Sequence, residues 1–485
     1  MKSKAVRRMN LLSFRLVMSL LGSSSFPIVP QVLMLAVFGL LVAGGIGITA
    51  EDVVGGIAGT TGKTTLADAV NELRNTNLAS LVVWSYWWPV IIAASIVLGR
   101  VWCMVCPIEL VSFLFGRFGL RLQAPRMLRS GWGITIFYAL ILIIGIHGLA
   151  IHRVPHRMAV YLLVLLGTAI VASLIFQKRA FCSYVCPVGH LLGLYALISP
   201  LEWRANDEGV CKACKTKDCV IRQNHYRVSG RSCTSNLYPA TIKNNKDCLL
   251  CTQCLKACPY DNLRLSTRRP FADFFRAVEL SPAQTAFVLM VGGFVVYEIL
   301  SEWKPSKAIL TWIPLQLVNA IGATGATADS VSALVMFVLF PAIVSLALVA
   351  SVKTLSTTPT GQTVRTFAVL LIPTMAAAHL VKTILKMVSR IPYWSHGLSD
   401  PTGIRTARKI LGAEVVLDQS VPNLLHGTVT FAMVALLVLA LVATLVIFAK
   451  SPSVKKLDLP AKVPVLVGTV AYWSIFGLTV LKWRF

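Results

Sequence analysis

Twelve cysteines are the residues of this sequence with the most chemistry to offer, and eight of them fall between positions 211 and 258. The last four read Cys248-x-x-Cys251-x-x-Cys254-x-x-x-Cys258-Pro259. Thiolates at these intervals suit a cubane 4Fe–4S cluster. Two-residue gaps let one short loop wrap three sulfurs around a face of the cube, and the fourth reaches across to a second cluster. The proline after Cys258 keeps the loop from running on as helix. Upstream, Cys211-x-x-Cys214 is followed by Cys219 after four residues, and by Cys233 only after the basic insert VIRQNHYRVSGRS. With the cross-over, Cys211, Cys214, Cys219 and Cys258 take one cluster, and Cys233, Cys248, Cys251 and Cys254 take the other. Zinc could use four such thiols, since Cys-x-x-Cys pairs also suit a tetrahedral ion, but it leaves the triple run ending in Cys-Pro unexplained. Disulfides need an oxidising compartment, and the charge pattern below places the segment on the reducing side.

The remaining four cysteines form an internal repeat. Arg100-Val-Trp-Cys103-Met-Val-Cys106-Pro107 parallels Arg179-Ala-Phe-Cys182-Ser-Tyr-Val-Cys186-Pro187, with a gap of two residues in the first pair and three in the second. Each copy follows an apolar stretch long enough to span a membrane and continues into another apolar run. Cys103, Cys106, Cys182 and Cys186 could close a third 4Fe–4S cluster, act as redox dithiols, or pack as inert small residues. The Cys-Pro ending favours the cluster.

Membrane helices must position these groups. The chain has 485 residues, 56% of them hydrophobic and only 14% charged, with a net charge of +26 and a mean hydropathy of +0.71. That composition describes a polytopic membrane protein. The positive excess reports topology and attraction to anionic lipid, not nucleic-acid binding. Apolar windows predict about nine spans, near residues 28–49, 81–99, 131–150, 158–176, 281–300, 331–351, 366–388, 424–449 and 464–482. Segment 308–328, which contains Pro314, reads as interfacial or re-entrant.

Residues 1–24 form a basic, mildly amphipathic cytoplasmic start, in which Arg15 argues against reading Arg7-Arg8 as a cleaved twin-arginine signal. The slightly acidic loop 50–80 reads as external, although its GGIAGTTGKTT stretch resembles a phosphate-binding loop. That motif needs glycine where Ile57 stands and a strand before it, so a flexible polar loop is the better reading. Five arginines (Arg100, Arg117, Arg121, Arg126, Arg129) place the first Cys-Pro segment inside, and Lys178 and Arg179 do the same for the second. Two rules of thumb are strained: the loop IHRVPHR and the loop carrying Arg390, Arg405, Arg408 and Lys409 are basic yet predicted outside.

The expected organisation is a basic segment (1–24), a four-helix membrane core (25–200), a small α+β two-cluster ferredoxin-like domain on the cytoplasmic side (201–275), and further membrane helices (276–485). Residues 201–275 carry 13 Lys/Arg and 7 Asp/Glu. This suits lipid attraction first and docking of an acidic redox partner second. In the C-terminal half, His379 and Lys382 lie within an apolar span and His426 opens the next. Such residues are functional candidates by default, and the two histidines could line a quinone pocket; haem b is the weaker reading, because no second pair completes it. His147, His152 and His156 cluster at one end of the third predicted span.

The paired Cys-Pro motifs followed by the ferredoxin run resemble the bacterial membrane polyferredoxins. These include the membrane ferredoxin subunit of periplasmic nitrate reductase systems, the methylamine-utilisation ferredoxin and the membrane electron donor of nitrous oxide reductase. The resemblance covers about residues 80–270 and departs from the family's three-residue spacing at Cys103–Cys106. It implies electron transfer between the quinone pool and a periplasmic or cytoplasmic redox protein, in the bacterial inner membrane. No stand-alone catalytic constellation is seen. A different class of function, redox-dependent assembly or regulation of a respiratory metalloenzyme, would be favoured by lone dithiols.

Overall fold

The computed structural model describes residues 9–55, 65–276 and 278–484. Arg7-Arg8 and residues 56–64, which make up most of the phosphate-loop-like stretch, lie outside the described residues. Helices dominate, and among the described residues there is one two-stranded sheet.

Among the described residues, seven helices are long and apolar enough to cross a membrane: Leu78–Leu98, Pro155–Ile175, Pro282–Leu300, Gly325–Lys353, Thr360–Ser389, Ser420–Lys450 and Leu459–Arg484. The chain is a multi-pass membrane protein. Two stretches expected to span are shorter. Helix Ile28–Ala43 has 16 residues, about 24 Å at 1.5 Å per residue, short of a roughly 30 Å apolar core. It ends at Gly44-Gly45, and a Cβ on Gly45 would lie 2.8 Å from the Pro155 carbonyl. Helix Trp132–Gly148 is likewise short and finishes in a wider π-helical turn over Ile141–Gly148. The stretch around Pro314 forms one continuous helix, Lys304–Ile321, closed by Gly322 in the left-handed conformation.

The chain folds into two compact units that interleave along the sequence: Met1–Ala36, Ile91–Ile134 and Leu166–Val278 form one, and Val37–Val90, Thr135–Leu165 and Glu279–Phe485 form the other. In the second unit, helix Thr360–Ser389 is buried along most of its length and packs against Pro282–Leu300, Ser420–Lys450 and Leu459–Arg484. Its Ala376, Ala377 and Ala378 are buried, small residues of the kind that let helix backbones approach closely in lipid. The Tyr472 hydroxyl donates to the Gly292 carbonyl (3.2 Å) and Trp473 Nε1 to the Leu437 carbonyl (2.8 Å). The loop 50–80, expected to be external, contains two helices, Ala50–Val54 and Leu66–Thr76. With Ile404–Leu411 from the basic loop they close a small core of Ala50, Val53, Ala69, Leu73 and Ala407.

In the first unit, strand β1 (Leu201–Ala205) pairs antiparallel with β2 (Leu263–Thr267), Leu201 opposite Thr267 and Ala205 opposite Leu263. The N-terminal stretch adds to this sheet. Asn10 bridges Ser266, Thr267 N donates to the Met9 carbonyl (3.2 Å), and Leu12 packs on Trp203, Leu255 and Leu263. Each Cys-Pro segment is a short helix, a break and a second helix: Val101–Val105 then Pro107–Gly116, and Ala180–Tyr184 then Pro187–Tyr195. Here proline starts a helix instead of stopping one. It occupies the first position, where its missing N–H costs nothing. The two copies are laced together by backbone bonds from Leu120 to Leu174, Leu122 to Ile175 and Gln177 to Leu122.

Gly403 is at φ +74°, and a Cβ there would lie 2.4 Å from both the Asn77 amide nitrogen and the Thr76 carbonyl carbon. Gly403→Ala is therefore expected to destabilise the second unit by about 1–3 kcal/mol from backbone conformation alone, and by more once the backbone clash is added. Gly427→Ala, on an open helical face with nothing within 4 Å, is expected to cost nothing. Thermal unfolding of the detergent-solubilised protein checks the pair.

Candidate metal centres

The cysteines gather into three quartets, all within the first unit. Cys211 lies within the short helix Glu208–Ala213, Cys214 caps its C-terminus, and Cys258 caps helix Gln253–Ala257. The Cys219 thiol is pushed up to about 12, first by burial and then by the negative charge that Cys258, Cys211 and Cys214 would bring beside it. Cys258 thus acts on the upstream Cys219, and it also packs with Cys248 and Cys254 against the core of Trp203, Leu255 and Leu263. Cys254 is raised well above the usual thiol range by burial, then by Cys251, Cys233 and Cys248, which makes the second quartet. Cys106 is raised by burial, then by Cys182, Cys103 and Cys186, so the structure also brings all four cysteines of the repeat together.

Local backbone explains how a short loop achieves this. Leu250 and Thr252, on either side of Cys251, are both left-handed (φ 59° and 58°), as is Lys217 between Cys214 and Cys219 (φ 48°). Non-glycine residues pay about 1–2 kcal/mol for that conformation, a strain that collects where a ligand clamp is being shaped.

N–H groups are aimed at the sulfurs. In the first quartet, Lys217 N donates to Cys214 Sγ (3.4 Å), Asn262 N to Cys258 Sγ (3.5 Å) and Asn262 Nδ2 to Cys211 Sγ (3.3 Å). In the second, Trp203 Nε1 donates to Cys254 Sγ (3.1 Å) and Leu237 N to Cys233 Sγ (3.4 Å). In the third, Gly189 N donates to Cys186 Sγ (3.4 Å) at the start of its helix, and Arg100 Nη2 lies 3.6 Å from Cys103 Sγ. These donors favour thiolate over thiol. Cys214, where they are the largest influence, is lowered. At Cys106, Cys186, Cys211, Cys251 and Cys254 burial dominates and the thiols are held up, as it does at Cys248 and Cys182, which are pushed up to about 12. Any metal taken up in those places must displace protons.

The donor sets suit a 4Fe–4S group. Each offers four thiols, and those of the second quartet line one cavity together with Trp203, Leu237, Pro239 and Ile242. Among the described residues no three His, Cys, Asp or Glu side chains converge as ligands of a single ion; zinc holds its sulfurs within about 2.3 Å of one point. Beside the third quartet, the Nε and Nη1 atoms of Arg179 and the Nε of Arg100 are buried donors with no hydrogen-bond acceptor among the described residues.

Several residues that matter here were not singled out by the spacing of cysteines. Glu109 (4% exposed) and Arg231 (2% exposed) form a buried ion pair at 3.0 and 3.1 Å. Gln31 Nε2 donates to Glu109 (2.6 Å) and to the Met104 carbonyl (2.7 Å), and the Arg231 guanidinium covers the Phe113 ring at 4.4 Å. Glu109 acts electrostatically on both Cys182 and Cys251, so the pair stands between the second and third quartets. The basic insert supplies Arg231. It also supplies Tyr226, whose hydroxyl accepts from Lys178 N (3.1 Å) and whose carbonyl accepts from Arg117 Nη2 (2.8 Å).

The histidine candidates do not assemble into a metal site. His147 packs on Tyr297 and Phe337, His152 faces Trp84, and His156 Nδ1 accepts from Gly47 N (3.0 Å). His379 is buried 3.7 Å from Glu298, whereas His426 is exposed. Lys382 contacts Glu302 and donates to the Glu298 carbonyl.

Comparison with known proteins points to the same chemistry. A family model described as a 4Fe-4S binding domain matches residues 80–125 and 158–204, the two stretches that contain the Cys-Pro repeat. Over 210 residues the chain is 24% identical to "Putative electron transport protein YccM" of Escherichia coli (strain K12), covering 38% of this chain and 55% of that protein. These likenesses support a ferredoxin-type iron–sulfur membrane family. The chain spans about half the length of that relative, and no solved structure matches.

Glu109→Ala leaves Arg231 charged, buried and unpaired, which is expected to cost about 3–5 kcal/mol. Replacing both partners by apolar residues of similar size (Glu109→Leu with Arg231→Met) is expected to recover most of the loss. Chemical-denaturation midpoints of the solubilised single and double variants check this.

Proposed function

We propose that this membrane iron–sulfur protein relays electrons between the quinone pool and a redox partner through three 4Fe–4S clusters, held by Cys211/Cys214/Cys219/Cys258, Cys233/Cys248/Cys251/Cys254 and Cys103/Cys106/Cys182/Cys186. When bound, such a cluster supplies a one-electron centre whose potential follows net charge, hydrogen bonds to sulfur and burial. The observation that carries the reading is the convergence of three four-thiol sets in one unit, with the second and third acting on a common carboxylate, Glu109. The charge pattern of the loops supports a cytoplasmic position for the domain of residues 201–275 in a bacterial inner membrane.

The chain's own residues perform two tasks in this scheme. Trp203, Asn262 and the backbone N–H groups of Lys217, Leu237 and Gly189 donate to sulfur, which stabilises the more negative, reduced state. The apolar lining of the second quartet keeps water from it, so charges there are felt strongly. The electrostatic influence of Cys182, Cys103 and Cys186 on Cys106 supports one set of four over two separate dithiols, and with it electron transfer over an assembly role.

Iron and acid-labile sulfide in the anaerobically purified protein are expected at about twelve each per chain, four per quartet. About eight would remove the third cluster from the proposal. A water-soluble quinol analogue is expected to reduce clusters that dithionite also reduces; reduction by dithionite alone would sever the quinone link while leaving the clusters.

Cys258→Ser is expected to abolish the electron paramagnetic resonance signal of the cluster that Cys214→Ser abolishes, and to leave the one that Cys254→Ser removes. The reverse pattern would show that Cys258 serves its own run.

A further inference from the structure

Besides its cysteines, the Cys-Pro repeat carries one arginine three residues before the first cysteine of each pair, Arg100 before Cys103 and Arg179 before Cys182. Each stands at the N-cap of a one-turn helix. Three residues on, the helix has come round almost a full turn, so arginine and cysteine share a side. Both arginines are buried, at 7% and 4% exposed. Burying a guanidinium is costly unless negative charge meets it, yet among the described residues neither has a carboxylate within ion-pair distance.

Arg100 meets sulfur directly, and Arg179 feels the charge of nearby sulfurs. Arg100 Nη1 donates to the Lys246 carbonyl (3.1 Å), and its Nη2 lies 3.6 Å from Cys103 Sγ. Arg179 is acted on by Cys182, Glu109, Cys103 and Cys251, while its Nε and Nη1 find no protein acceptor.

The arrangement is crossed between the two copies of the repeat. Counting from the Cys-Pro cysteine, Glu109 in the first copy and Gly189 in the second are equivalent. Arg100 of the first copy lies against Gly189 of the second, where an added Cβ would sit 3.0 Å from Nη2, 3.8 Å from Cys186 Sγ and 3.9 Å from Cys103 Sγ. One turn on, a Cβ at Gly193 would be 3.6 Å from Arg100 Nη1 and 2.5 Å from the Lys246 carbonyl oxygen. Two glycines thus form the slot through which Arg100 reaches the thiols. Arg179 of the second copy feels the charge at the equivalent position of the first, Glu109, which is already met by Arg231 at 3.0 Å.

The charges then sum simply. Glu109 and Arg231 cancel, and Arg100 and Arg179 remain as two positive charges. A cubane on four thiolates carries two net negative charges when oxidised and a third when it has taken up an electron. We infer that Arg100 and Arg179 are the counter-charges of the 4Fe–4S cluster held by Cys103, Cys106, Cys182 and Cys186, and that they set its reduction potential. This rests on the cluster assignment made above and goes beyond it. The two arginines balance the oxidised state and favour the added electron, which holds this centre at a higher potential than its thiol set alone would give.

The experiment is a redox titration of the full-length holoprotein with dithionite, read by electron paramagnetic resonance, with iron content measured on the same samples. The signal missing from Cys182→Ser identifies the cluster. In Arg179→Gln and in Arg100→Gln its reduced-to-oxidised ratio at a fixed ambient potential is expected to fall about tenfold, equivalent to 59 mV for a one-electron couple, while the other signals keep their midpoints. Arg179→Lys, which keeps the charge, is expected to restore most of the ratio. Loss of four irons in the Gln variants but not in the Lys variant also supports the counter-charge role. An unchanged ratio with iron retained overturns it, as does an equal shift of every signal or loss of iron in the Lys variant too. A wild-type protein with no signal that depends on Cys182 overturns both this inference and the third cluster, and the iron content tells that outcome apart from the others.

Discussion

The contact on which the first unit most depends is the ion pair between Glu109 and Arg231. It joins the helix that follows the first Cys-Pro motif to the end of the insert that delivers Cys233, across more than a hundred residues of sequence. A buried pair of this kind contributes little net stability compared with apolar packing, but it tolerates few alternatives, because either partner alone is strongly unfavourable. Gln31 on one side and Phe113 on the other complete its surroundings. Its carboxylate acts on both Cys182 and Cys251, and the small core around Trp203 packs against Cys248 and Cys254.

The same physics governs the thiols. In buried surroundings a thiol is neutral, and most of those here are held above their ordinary range by desolvation. Helix starts, backbone N–H groups, Trp203, Asn262 and the two repeat arginines counter that tendency sulfur by sulfur. Cys214, near the exposed stretch Lys212–Lys217, is the exception, already lowered by its hydrogen bonds. The first quartet is accordingly the most open to water.

In the second unit, the long helix Thr360–Ser389 takes the place that the iron–sulfur loops take in the first. Its small residues and hydrogen bonds between neighbouring helices provide the close packing that lipid cannot drive by the hydrophobic effect. The basic loop that strained the charge rule contains helix Ile404–Leu411, whose Arg408 donates to the Asp52 and Val53 carbonyls while its apolar side closes a core with the stretch 50–76. A charge count could not reveal that partner, since the contact joins segments more than three hundred residues apart.

Much was legible from sequence because cysteine spacing encodes chemistry directly. The run from Cys248 to Cys258 and the repeated Cys-Pro endings can be read without a fold, and apolar windows identify membrane helices by length alone. Two predicted spans came out short, where Gly45 passes close to a neighbouring backbone and where the helix ending at Gly148 widens into a π-turn, because packing and not hydropathy ends a helix. Arg100 and Arg179 were visible as part of the repeat but silent as to role. Their meaning depends on burial and on which thiols they meet, and burial is a property of the fold. Sequence by itself determined the kind of ligand, the membrane setting and the repeat. Only the tertiary structure decided which side chains are buried beside the cysteines and which charges act on them, because those depend on residues far apart in the chain.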